Sequence, residues 1–170
     1  MKTITIKLLH NLGACSEGID WFQNQKETRA DKVINALMKA NKFDWANWLI
    51  VRLMSHKNQV RYAVYAAELV LPIFKKKYPK DKRPRKAIQT TKRWLKSPTE
   101  ENRIAAYAIA ASYAANVAYA AYCAVYAVTA AADVFVTSAD AASYAAADAA
   151  KNKKETREKI IKYGLKLIKQ

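Results

Sequence analysis

The sequence predicts an all-α fold, and three observations lead there. Glycine and proline are scarce, three and four in 170 residues, which leaves too few turn signals for a chain of many strands. Apolar residues recur at three- and four-residue spacing through much of the first hundred positions. From Ile104 to Ala132 the chain then runs 29 residues without a charge, 15 of them alanine and five tyrosine, a composition suited to a packed central helix. A length of 170 residues is that of one ordinary domain, able to bury a core without disulfide or metal staples. The expectation is therefore a single multi-helix domain over 1–170. Short helices fill 1–97 and end in a basic segment, long Ala/Tyr-rich helices fill 98–150, and a basic helix fills 151–170.

The elements follow in order. Ser16 and Glu17 ahead of Ile19, Trp21 and Phe22 read as a capped helix start, and Asp31 reads as the cap of a helix whose apolar stripe is Val33, Ala36, Leu37 and Ala40. Phe43, Trp45, Trp48, Leu49, Arg52 and Leu53 continue the spacing into another helix, where the aromatics are expected to be core. From Gln59 the run RYAVYAAELVLPIFKKKYP is helical, with Pro72 forcing a kink or a fresh start, and Tyr78 and Pro79 ending it. Pro84 suits the first turn of a helix reaching Lys96, with Ile88, Thr91 and Leu95 on one side and Arg85, Gln89, Lys92 and Lys96 on the other. Ser97, Pro98 and Glu100 carry a capping-box signature for the next.

Residues Pro98 to Thr137 as one unbroken helix would be about 60 Å long at about 1.5 Å per residue. A compact domain of this size is roughly 40 Å across. A break is therefore expected between Asp133 and Ser138. A membrane span is not expected in this stretch, because alanine is weakly apolar, the tyrosines are spread through the middle, and Asn116 lies near the centre. Asp133, Asp140 and Asp148 share one helical face, which reads as a solvated row. The closing stretch sets eight Lys or Arg and two Glu over the stripe Ile160, Ile161, Leu165 and Ile168, the pattern of a basic amphipathic helix.

Little in the chain points to catalysis. His10 and His56 stand without an accompanying nucleophile or acid pattern, and neither common Gly-rich phosphate loop is present. Cys15 and Cys123 have no second ligand at a metal spacing, so no metal or cofactor is expected, and both read as buried thiols of a reducing compartment. The segment Met1 to Leu12, interrupted by Lys7 and His10, reads as neither a secretory nor a transit segment, and a cytoplasmic location follows as the expectation.

Charge is the informative feature. The net charge is +16, and Pro72 to Ser97 contains eleven Lys or Arg against one acid, Asp81. Such a concentration favours an acidic protein, a phosphorylated or nucleotide-like ligand, or nucleic acid. The run KRPRK brings Lys82, Arg83, Arg85 and Lys86 to a helix start, where free backbone N–H groups and the dipole also favour an anion. Lys92, Arg93 and Lys96 extend the basic set, and arginine suits bidentate contact with phosphate or carboxylate. Tyr78 and Trp94 offer rings for stacking. Glu68, inside the apolar run YAAELVLP, needs a cationic partner, and the arginines downstream are available.

With these residues in hand, the chain resembles the Imm-5-like immunity protein family of bacteria and their phages. The resemblance is carried by ACSEGIDW (14–21), RYAVYAAELVLPIF (61–74), and YPKDKRPRKAI (78–88) with Trp94 and Leu95, followed by the Ala/Tyr-rich segment and the basic closing helix. It implies a non-enzymatic, stoichiometric binder of the immunity or phage anti-defence type. This chain is more basic than the family pattern at Lys75 to Lys77, which favours an anionic partner.

Overall fold

The computed structural model describes residues 2–102 and 152–169, together with residues 146 and 150. Seven helices lie wholly among them: α1 (Ile6–Asn11), α2 (Ser16–Gln23), α3 (Ala30–Lys39), α4 (Phe43–Leu53), α5 (His56–Lys77), α6 (Arg83–Lys96) and α7 (Lys153–Leu167). No strand is formed among the described residues. Thr3 and Arg29 make one isolated bridge, in which Ile4 N–H donates to Thr28 O at 2.8 Å and Ala30 N–H to Lys2 O at 3.0 Å. The all-α expectation holds. The long Ala/Tyr-rich helices, the break at 133–138, the aspartate row and Cys123 lie outside the described residues.

α1 has no counterpart in the sequence reading. Thr5 starts it, its hydroxyl accepting from Leu8 N–H at 3.1 Å, and Leu9 is its one buried residue. Gly13 then turns the chain at φ 75°, a conformation that favours glycine. Two expected caps are displaced. α2 is preceded by Cys15, and Ser16 is already helical. α3 is preceded by Arg29, whose guanidinium holds the Asp31 carboxylate at 2.9 and 3.2 Å, so Asp31 serves an ion pair and not the helix end. The stripe of α3 is Val33, Ile34 and Leu37, whereas Ala40 is exposed. Cys15 is exposed, against the expectation of a buried thiol, because it stands in the turn between two short helices.

α5 continues unbroken through Pro72, so the fresh start is excluded. As far as Val70 it carries two apolar faces. Val60, Val64 and Ala67 pack with Ala87 and Ile88 of α6, while Tyr62, Ala66 and Val70 join a larger cluster that runs from Ile4 through Leu37, Leu49 and Ile50 to Ile160 and Leu165. α5 thus stands between α6 on one side and α7 on the other, and α7 also packs on α4. Two distant side chains close helix ends: Lys2 Nζ donates to Leu53 O at 2.8 Å and Asn58 Nδ2 to Leu167 O at 3.0 Å. After α6, Thr99 and not Ser97 supplies the cap, its hydroxyl accepting from Asn102 N–H at 3.3 Å. No described helix is long and apolar enough to cross a membrane.

Candidate functional site

Two helix ends deliver the basic segment. α5 closes on Lys75, Lys76 and Lys77, where cations complement the exposed carbonyls. A short turn reverses the chain, and Pro84 sits in the first turn of α6, where its missing N–H costs nothing.

The start of α6 is already occupied by an acid. Asp81 accepts from Arg83 N–H at 3.0 Å and from Arg83 Nε and Nη2 at 2.8 to 3.0 Å. Its carboxylate takes the place that the helix dipole offers an anion. The Arg83 hydrogen bonds hold that carboxyl below the usual carboxylate range, against the opposing effect of burial.

Lys92 is engaged as well, with Nζ 2.6 Å from a carboxylate oxygen of Glu68. Glu68 therefore pairs with a lysine and not with one of the arginines. Lys92 stands one turn past Ile88, beside the contact with α5, whereas Arg85 is about 10 Å nearer the helix start at about 1.5 Å per residue. Glu68 as a residue is half-buried, in keeping with its place in an apolar run, while Lys92 is exposed.

The other cations face solvent. Lys82, Arg85, Lys86, Arg93 and Lys96 are exposed, and they line a convex band about 20 Å long at about 1.5 Å per residue. The opposite face, Pro84, Ala87, Ile88, Thr90 and Thr91, is buried. Thr90 and Thr91 donate to the carbonyls of Lys86 and Ala87 one turn back, so they need no outside partner. The two aromatic residues are not brought together as a stacking surface. Tyr78 leans on Phe74 at 5.0 Å, and Trp94 meets His56 edge to face at 5.8 Å.

Around Lys92 the structure adds residues the sequence did not suggest. Arg61, Tyr65, Glu68, Lys92 and Tyr163 line a notch of about 180 Å³, with the rings of Tyr65 and Tyr163 stacked at 4.1 Å. Arg61, Tyr65 and Glu68 share a face of α5, which their spacing could have indicated. Tyr163 comes from α7, and no local signal links it to them. Burial pushes the Tyr163 hydroxyl above its ordinary value. The notch can hold a polar group by hydrogen bonds. Among the described residues no group of three or more His, Cys, Asp or Glu could hold a metal ion.

Residues 49–170 match the family described as Imm-5 like putative immunity protein. Residues 1–57 match the YdhT N-terminal domain. The first match takes in α5, α6 and α7 with the basic band, while the ACSEGIDW segment lies outside it and within the second. No curated protein and no solved structure matches the chain.

Proposed function

The chain belongs to the Imm-5 like immunity protein family, and from that membership we propose a non-enzymatic, stoichiometric immunity protein that captures an acidic protein on the exposed face of α6. One observation carries the reading. Lys82, Arg85, Lys86, Arg93 and Lys96 stand exposed along one convex helix, while the helix start is closed by Asp81. A single phosphate would meet one or two of these cations, whereas an acidic protein surface can meet the whole band. Arg83 and Lys92 support that face through their own acid partners, and Tyr78 borders it. We read the chain as one folding unit, since a single apolar cluster joins Ile4 and Leu37 to Ile160 and Leu165.

The test is paired affinity capture after nuclease treatment. The native chain and a variant carrying Arg85→Ala, Lys86→Ala, Arg93→Ala and Lys96→Ala serve as baits, with Lys154→Ala as the charge control. The expected result is one acidic protein recovered in stoichiometric amount by the native chain and the control and lost by the fourfold variant. Recovery of nucleic acid, abolished by nuclease, would replace this reading with non-specific nucleic-acid binding. Equal recovery by all three baits would place the interface elsewhere.

A further inference from the structure

A second feature lies among the helices that precede α5. α1 to α4 surround a hollow of about 280 Å³, floored by buried Leu9, Phe22, Leu37 and Leu49 and walled by half-buried Trp21, Trp45 and Trp48. Trp45 and Trp48 read in the sequence as core. In the structure Trp21 and Trp45 meet edge to face, centroids 6.5 Å apart at 69°, and the indoles line the hollow without filling it.

Glycines at the rim keep it open. Gly13 turns the chain there at φ 75°, and Gly18 leaves space where a side chain would fit. A Cβ on Gly18 would have Cys15 Sγ, at 3.4 Å, as its one neighbour within ordinary contact range, and its backbone needs no positive φ.

The charges nearby say what kind of molecule suits the space. Lys42 Nζ sits 3.8 Å from the Trp45 ring centroid and Arg52 Cζ 4.2 Å from that of Trp48, so both cations are held on indole faces, and neither lines the hollow. Asp44, the charged group that does line it, is paired with Arg157 at 3.2 Å. An anion entering would lose its water and meet no cation in the lining, and a cation would meet one carboxylate already paired with Arg157. An uncharged ring system would instead cover apolar surface now left to water and meet aromatic walls in edge and face contacts. A cavity of about 150 Å³ takes one benzene ring, so this one has room for a fused two-ring system, which is smaller than two separate rings.

We propose that this hollow is a binding site for a small uncharged molecule built on two aromatic or similarly apolar rings. The site is separate from the basic face of α6, and the protein-capture role neither requires it nor excludes it.

The probe is Prodan, an uncharged naphthalene dye whose emission moves to the blue away from water, titrated into the full chain. Excitation of tryptophan reports dye held beside the indoles by energy transfer. Saturable one-to-one binding is expected. Gly18→Leu places a side chain in the hollow on an unstrained helical backbone, and it should weaken binding at least about tenfold with helicity and melting preserved. Ile73→Ser, which removes an exposed apolar side chain of α5 far along the sequence, should bind like the native chain. Saturating Prodan should also slow maleimide modification of Cys15 at the rim, followed by peptide mass spectrometry on the native protein. Non-saturable binding, native affinity in folded Gly18→Leu, loss of binding in Ile73→Ser, or a Cys15 rate unchanged by the dye would each overturn the proposal.

Discussion

Replacing Gly164 by alanine tests how closely α7 is seated against α4 and α5. A Cβ there would lie 2.7 Å from Tyr62 Cε2, 2.8 Å from Ile50 Cδ1 and 3.0 Å from Met54 Cε. Met54 can yield at its flexible end. Tyr62 cannot, because it is fully buried and its hydroxyl donates to Asn47 Oδ1 at 2.7 Å, so moving the ring stretches that bond. Overpacking of this kind costs about 1 to 3 kcal/mol, and a weakened hydrogen bond about 1 more. The gain in helix propensity from glycine to alanine offsets about 1 kcal/mol. The expected outcome is a net loss of about 1 to 3 kcal/mol, read as a lower urea midpoint at equal slope or a melting shift of about 2 to 4 °C per kcal/mol. Gly18→Ala is the internal reference, since the same chemical change in an open helical site should be neutral or stabilising by about 0.5 kcal/mol. A Gly164→Ala protein as stable as the Gly18→Ala protein would refute the close seating of α7.

Tyr62→Phe removes the donor to Asn47 without changing the ring, and denaturation should show a loss of about 1 to 2 kcal/mol. Lys92→Ala and Glu68→Ala should each change stability by less than about 1 kcal/mol, as expected of an exposed pair, and a double-mutant cycle measures their coupling. The carboxyls of Asp31 and Asp81 are held below their ordinary range by Arg29 and Arg83, so the folded state binds protons more weakly there than the unfolded chain. That contribution is complete above the ordinary aspartate value near about pH 4 and is lost as pH falls through the lower folded values. Asp31→Asn and Asp81→Asn should therefore flatten the acid limb of the stability profile, and an unchanged limb would mean that these pairs do not form in solution.

What the sequence made legible and what it hid follow from the range of the forces involved. Helix spans from Phe43 to Lys96 were readable because each buries a stripe at its own period, and Pro84 and Tyr78 marked boundaries through local backbone chemistry. The caps were misread where a side chain found a stronger neighbour: Asp31 meets Arg29 two residues back, which no capping rule anticipates. α1 was missed because its six residues bury only Leu9 and carry no stripe. The basic band on α6 was legible as composition and helical facing. The closure of the helix start by Asp81 was not, because the rotamer of that acid decides whether it caps a helix or is solvated. Glu68 and Lys92, 24 residues apart, meet only through the packing of α5 on α6, and Tyr163 reaches the same notch from α7. The tryptophan hollow was hidden in the same way, since spacing marks Trp45 and Trp48 as inward but cannot say whether Gly18 leaves space beside them.

The most direct test of the proposed α6 interface takes the acidic protein that the capture experiment is expected to recover, purified, into titration calorimetry against Arg85→Ala and Lys154→Ala. Both substitutions remove one exposed positive charge, the first from the α6 band and the second from the start of α7. Arg85→Ala should weaken binding by about 1.5 to 3 kcal/mol, the range for a charge-assisted hydrogen bond, with Arg85→Lys restoring part of it and folding stability unchanged. Lys154→Ala should change affinity only slightly and mainly at low salt. Equal losses from Arg85→Ala and Lys154→Ala, or no loss from Arg85→Ala, would contradict capture on the α6 face.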